Sequence, residues 1–288
     1  MQAALTNIKP DLHVHTDASD GQYSPLQVIS MAVEKGLNLL AITDHDTIDG
    51  LERAQDAALQ AGIGLIPGVE ISAGGGNEVH ILGFGIHSGM KRLFSLLQEM
   101  RNEREVRIAK MLEKLKNIGL NLSVDEIAPP QAQSLGRAHI GRVMVEKGMA
   151  ASLFDAFDKY LSPGRPGYEP RPRRMVSDVV RLMREEGAVP VIAHPGLLKM
   201  ETQDVRALLV QWKDDGLMGL EAYHPSHLPH MTKVWDDMAR SLQLLVTGGS
   251  DYHGQDGRHM DLGAMLPYWQ TAHEDISTLL EVIGPHDR

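Results

Sequence analysis

Residues 38–46 read Asn-Leu-Leu-Ala-Ile-Thr-Asp-His-Asp, an apolar run that ends abruptly on the polar cluster Thr43-Asp44-His45-Asp46. A short apolar run with polar punctuation is the pattern of a buried strand. The same pattern recurs on both sides of it. Upstream, Asp11–His15 reads as a strand, and Ser24-Pro25 opens a helix that runs to about Lys35, with Ser at the N-cap and Pro at N1. Downstream come a helix over roughly 48–61, a strand over 63–66 leading to Gly68-Val69-Glu70, and a strand over 79–86. Further strands are predicted at Val189–Ala193, Gly219–Ala222 and Leu244–Thr247, again separated by helices. Alternation of this kind predicts an α/β fold with a largely parallel sheet. About seven such units close more naturally into a barrel than into an open sheet.

The middle of the chain breaks the alternation. Residues 90–119 form one long, charged, amphipathic helical pattern, and shorter helical pieces follow near 123–128, 138–148 and 152–160. A Pro- and Arg-rich stretch from Ser162 to Arg174 comes next. With no strand signal between about 90 and 187, the expected organisation is a barrel from residues 1–99 and 171–288, with 100–170 as a helical insertion that caps the substrate site.

Composition narrows the chemistry. The 288 residues are 42% hydrophobic, enough for a full core, and only 5% aromatic, so that core is mainly aliphatic. A net charge of −10 argues against a surface that coats nucleic acid, and stable binding to duplex DNA is not expected. There is no cysteine, which excludes disulfides, thiolate metal sites and cysteine nucleophiles. Any metal must therefore sit on imidazole and carboxylate. No signal-peptide pattern and no membrane-length apolar run is seen, so the expectation is a cytoplasmic protein without membrane contact.

The polar residues at the strand ends carry the functional argument. His13 and His15 lie two apart on a strand, so both side chains point to one face, followed by Asp17 and Asp20 in a loop. His45 follows the second strand, Glu70 the third, His194 the run VPVIA, and Asp251 and His253 the run LLVTGGS, while His80 lies in the strand after Gly74-Gly75-Gly76. Any one of these reads equally well as a cap or a satisfied loop residue. Together they mark the carboxyl ends of barrel strands, where the active sites of β/α barrels lie.

Six stretches, DLHVHTDASDG, LLAITDHDT, LIPGVEIS, VHILGF, VIAHPG and GGSDYHG, resemble in content and order the PHP (polymerase and histidinol phosphatase) superfamily. The resemblance implies a distorted, TIM-like (β/α)7 barrel and a centre of three divalent metal ions. Residue by residue it implies His13, His15, Glu70 and Asp251 around one ion, Glu70 bridging to a second with His80 and His194, and Asp20, His45 and His253 around the third. Mn2+ suits such a donor set best, with Zn2+ or Fe2+ as alternatives. TDASDGQYSP, GRAHIGRVMV and FDKYLSPGRPGY further resemble the branch of nucleoside 3′,5′-bisphosphate phosphatases and 5′-to-3′ exoribonucleases of short RNA. One departure is Ala138, where that branch's pattern has proline.

The expected enzyme is a phosphoric monoester hydrolase in which hydroxide bridging two metals attacks phosphorus, with no protein nucleophile. Asp44 or His194 is the candidate for protonating the leaving oxygen. Its expected partner is a phosphorylated nucleotide or short oligoribonucleotide. Arg104, Arg107, Arg137, Arg142 and Arg165 are candidates for a second phosphate, since guanidinium binds phosphate bidentately. Arg104 and Arg107 read equally well as an exposed helix face paired with Glu. Arg137, near Ser134 at a helix start, is the stronger candidate, and Tyr223 and His224 are candidates for base or sugar contact. The alternatives are a histidinol-phosphate phosphatase and, from another class, a non-catalytic module that docks on a polymerase.

Overall fold

The computed structural model describes residues 8–74, 78–128, 132–172, 174–255, 260–268 and 273–284. Seven strands form one sheet in sequence order: β1 (Pro10–Val14), β2 (Leu39–Ile42), β3 (Gly64–Ala73), β4 (Val79–Phe84), β5 (Val189–Ile192), β6 (Gly219–Tyr223) and β7 (Leu245–Gly248). The sheet curls until its ends meet. Val14 bridges Tyr252 in parallel, and the His15 amide donates to the Tyr252 carbonyl at 2.9 Å. The result is a nearly closed barrel. Gly249 makes this approach feasible, because a Cβ there would lie 2.3 Å from that of His13.

The expectation of a largely parallel sheet holds for β1–β2, β2–β3, β5–β6 and β6–β7. It fails at β4, which runs antiparallel to both β3 and β5. The reason is length. Too few residues join β3 to β4 for a crossover helix, and a short connection can only return antiparallel. Gly75 and Gly76 of that connection lie outside the described residues. The third strand also runs further than its apolar start implies, so Glu70 lies within β3 rather than after it.

The helices are α1 (Pro25–Glu34), α2 (Leu51–Ala61), α3 (Lys91–Asn117), α4 (Val124–Ile127), α5 (Arg137–Glu146), α6 (Leu153–Ala156), α7 (Val176–Glu185), α8 (Thr202–Asp214), α9 (Pro229–Ser241) and α10 (His273–Ile283). Ser24 caps α1 through a capping box with Gln27, as its sequence predicts. A π-helical turn, Phe157–Leu161, continues α6. Among the described residues no helix is long and apolar enough to cross a membrane.

Helix α3 serves two cores. Leu93, Leu97 and Met100 pack into the barrel's core, while Ile108, Met111, Leu112 and Leu115 join a separate core with Ile127, Ile140, Met144 and Leu161. Arg104 and Arg107 lie between them, both 5% exposed. That settles the two readings of this stretch against an open helix face.

Candidate metal centre

The carboxyl ends of the strands converge on Glu70, fully buried inside β3. Its Oε1 lies 2.8 Å from His80 Nδ1, 3.1 Å from His194 Nε2 and 3.4 Å from His13 Nε2. Its Oε2 lies 2.8 Å from His45 Nδ1 and 3.3 Å from His15 Nε2. The hairpin pairing Ser72 with His80 sets part of this, since it places Glu70 and His80 as diagonal neighbours on one face. Across the site, Asp251 Oδ1 approaches His15 Nε2 at 3.2 Å and His13 Nε2 at 3.3 Å, and Asp20 Oδ1 approaches His253 Nε2 at 3.2 Å. The structure thus brings together all nine residues of the expected ligand set: His13, His15, Asp20, His45, Glu70, His80, His194, Asp251 and His253. Two compact groups stand out, His13-His15-Glu70-Asp251 and His15-Asp20-His45-His253, with His45-Glu70-His80 linking them.

Whether metal fits can be judged from unsatisfied atoms. Among the described residues, His13 Nε2, both ring nitrogens of His15, His45 Nδ1, Glu70 Oε2 and Asp20 Oδ1 are buried and lack hydrogen-bond partners. So many buried polar atoms without partners are costly unless a cation completes them. The charge balance agrees. Burial would raise Glu70, but His45, His80 and His13 hold it well below the usual carboxylate range. Burial would likewise raise Asp251 and Asp20, and neighbouring imidazoles hold both well below that range. A cluster of buried ionised carboxylates requires cations, supplied by protonated imidazole or by metal. The residues present fit divalent ions.

The strand-end pattern does not reveal the outer ring. Glu221 on β6 is fully buried; its Oε1 lies 3.0 Å from His13 Nδ1, and its Oε2 accepts the His194 amide at 2.8 Å. A proton on Nδ1 donated to this carboxylate leaves the Nε2 lone pair free to bind a cation, the usual way an outer carboxylate orients a ligand. The available signal was a lone acid inside the apolar run GLEA. His224 lies 3.4 Å from Asp251 Oδ2, beside the expected metal ligands. Backbone strain is concentrated here too. Asp46, His194 and Asp251 have φ of 52°, 28° and 52°, in the left-handed region that non-glycine residues rarely adopt.

Above this floor opens a cleft whose lining also includes Arg104, Arg137, Arg142 and Arg171. All come from the helical segment or its exit. Arg104 is committed to Asp46, to which its Nε donates at 2.7 Å, and Arg142 donates to the Asp20 carbonyl. Arg137 lies over the Phe157 ring, 5.4 Å from its centroid. Arg171, which sequence reading passes over within the Pro/Arg-rich stretch, lines the cleft as well. The remaining expected residues are placed differently. Asp44 accepts from the Thr16 amide and hydroxyl, both at 2.7 Å, and from Ser19 at 2.5 Å, and it is not among the cleft's lining residues. Arg165 pairs with Asp158 on the surface, Ser134 is buried and does not line the cleft, and the Tyr223 hydroxyl turns to Asp236.

Residues 11–161 match the PHP domain family. Over 262 residues the chain is 34% identical to the 5′-3′ exoribonuclease Rnm of Escherichia coli K12, covering 89% of this chain and 88% of that protein. Over 270 residues it is 34% identical to the 3′,5′-nucleoside bisphosphate phosphatase of Chromobacterium violaceum, covering 89% and 92%. A crystal structure from Bifidobacterium adolescentis, assigned provisionally as a metal-dependent phosphoesterase, superposes with a TM-score of 0.85 at 30% identity, covering 95% of this chain and 96% of that one. Matched in sequence over most of its length, and in fold by a nearly closed seven-stranded barrel, the chain belongs to the PHP domain family.

Proposed function

We propose that this protein is a metal-dependent phosphomonoesterase that removes the 3′-phosphate of nucleoside 3′,5′-bisphosphates. The observation that carries the reading is one cleft lined by two unlike sets of groups: a floor of imidazoles and carboxylates, and a set of arginines. One phosphate reacts at the floor while a second is held by guanidinium. A substrate with two phosphates on one nucleoside matches that spacing of chemistries. The relative from Chromobacterium violaceum, named for that activity, supports the reading.

His13, His15, Glu70 and Asp251 would hold one ion, Glu70 with His80 and His194 a second, and Asp20, His45 and His253 a third, with Mn2+ the best match to the donors. When bound, such ions activate water near neutral pH and offset phosphate charge. The chain's own groups do the rest. Glu221 holds His13 in its ligating tautomer and fixes the His194 turn. His194 stands on the cleft wall, where burial lowers its pKa, which suits a neutral ligand better than an acid. Arg137 and Arg171 orient the remote phosphate, and Leu153, Phe157 and Leu197 offer apolar contact to the base. In this reading segment 100–170 is the substrate-binding cap. A short 5′-phosphorylated RNA would use the same cleft, a reading favoured by the relative named for exoribonuclease activity.

The test is hydrolysis with Mn2+ present, read as phosphate release from adenosine 3′,5′-bisphosphate and histidinol phosphate and as mononucleotide release from 5′-phosphorylated oligoribonucleotides. Turnover of the bisphosphate is expected, and Asp251→Ala or Glu70→Ala should abolish it while the fold persists. Preference for histidinol phosphate, or full activity in either variant, would overturn the reading.

A further inference from the structure

The arginines of the cleft wall are not equally committed. Arg104 is buried and bound to Asp46, itself 1% exposed, an ion pair locked on both sides. Arg137 and Arg171 instead share one carboxylate, Glu78, at the start of β4. Arg137 Nη2 donates to Glu78 Oε2 at 3.2 Å, and Arg171 Nε lies 3.3 Å from Oε1. The second contact does not satisfy the donor: Arg171 Nε and Nη1 are buried and have no hydrogen-bond partner among the described residues. The other charges facing this spot are His80, with Nε2 at 3.7 Å from Glu78, Asp46, 3.6 Å from Arg171, and the guanidinium groups of Arg104 and Arg107. The Glu78 side chain is 37% exposed and lines the cleft beside both arginines. It therefore meets solvent, the metal floor and the guanidinium groups at once.

We propose that Glu78 is the resting counter-ion of a remote phosphate subsite formed by Arg137 and Arg171, and that a substrate phosphate displaces it. The physical case rests on unequal bonds. Against the effect of burial, Arg171, His80 and Arg137 keep Glu78 ionised, well below the usual carboxylate range. But this part-exposed carboxylate is shared among three cations and engages neither guanidinium bidentately, so it can exchange for a better-matched anion. A phosphate dianion carries more charge and can engage both guanidinium groups bidentately, including the donors Glu78 leaves unmet. A substrate with no anionic group at that end cannot displace the carboxylate. Glu78 thus neutralises the empty subsite and weakens affinity for doubly phosphorylated substrates, narrowing their advantage over monophosphates. This inference rests on the bisphosphate reading, since it names the residue that competes with the second phosphate.

The test compares the metal-loaded wild type with Glu78→Gln, which removes the charge and keeps the shape, and with Glu78→Ala. KM and kcat are measured on a nucleoside 3′,5′-bisphosphate and on the matching 3′-monophosphate, and sulfate binding is followed by calorimetry. In Glu78→Gln the KM for the bisphosphate should fall about three- to ten-fold relative to that for the monophosphate, and sulfate should bind more tightly. Adding Arg171→Ala should erase the gain. A higher bisphosphate KM and weaker sulfate binding in Glu78→Gln would show that Glu78 orients the arginines, and the proposal fails. Equal effects on both substrates would also defeat it. Should the wild type hydrolyse neither nucleotide, the bisphosphate reading falls, and sulfate binding alone decides: tighter in Glu78→Gln keeps the counter-ion role, equal or weaker ends it.

Discussion

Glu221 touches two expected metal ligands without lining the cleft, holding His13 through its ring and His194 through its backbone. Removing its charge should loosen both. Glu221→Gln is expected to weaken metal binding or turnover about 10- to 100-fold, the usual cost of losing an outer carboxylate, with secondary structure retained. Metal titration followed by elemental analysis checks this, and wild-type affinity would show that the contact orients nothing. At this scale the sequence was legible where chemistry and strand ends coincide. His45, Glu70, His194 and Asp251 stood out because each follows or closes an apolar run. Asp44 has the same pattern, yet its carboxylate anchors the Thr16–Ser19 loop, because three donors from that loop surround it. A strand-end acid looks the same in one dimension whether it faces the cleft or the next loop.

The elements show how the helical segment is fastened to the barrel. Much of that attachment is polar: Arg104 of α3 reaches Asp46 after β2, and Arg142 of α5 reaches the Asp20 carbonyl. Asp46 also accepts the Ser72 amide at 2.8 Å, so the Arg104 pair ties α3 to two strand ends. Arg104→Ala would leave Asp46 as a buried, poorly compensated charge. It should cost about 3–5 kcal/mol of stability. Urea unfolding of the metal-loaded protein measures this, and a loss below about 1 kcal/mol would mean that Arg171 compensates fully. The amphipathic pattern of residues 90–119 announced the helix but not its partners. A buried arginine and a solvated one carry the same letter, and only contact with a second core separates them. The reversed direction of β4 is the other feature of this scale, readable from the short connection before it but masked by the helical alternation around it.

For the whole molecule, the ionised carboxylates gathered in one buried centre make folding and metal loading interdependent. Their mutual repulsion is offset in the metal-free protein by protonated imidazoles. Burial lowers His15, but hydrogen bonds and charge from Asp251 and Glu70 outweigh it and push it up to about 10, and His80 is raised to a similar value mainly by Glu70. Divalent ions do this more effectively. Chelation should therefore lower Tm, and Mn2+ should restore it, by up to about 4 kcal/mol at a thousand-fold excess over Kd. Differential scanning calorimetry with and without chelator measures it, and an unchanged Tm would argue that no ion binds the folded centre. The net charge of −10 coexists with arginines lining the cleft, so the global balance does not describe the site.

The sequence by itself determined the barrel, the helical segment and the identity of the clustered imidazoles and carboxylates. Apolar periodicity and the chemistry of side chains at strand ends are local properties, written in consecutive residues. Only the tertiary structure decided that Glu70 sits at the hub, that Glu221 stands behind His13, and that Arg171 rather than Arg165 reaches the cleft. Those facts depend on barrel closure and on how two cores share α3, which set distances between residues far apart in the chain. No local pattern encodes them.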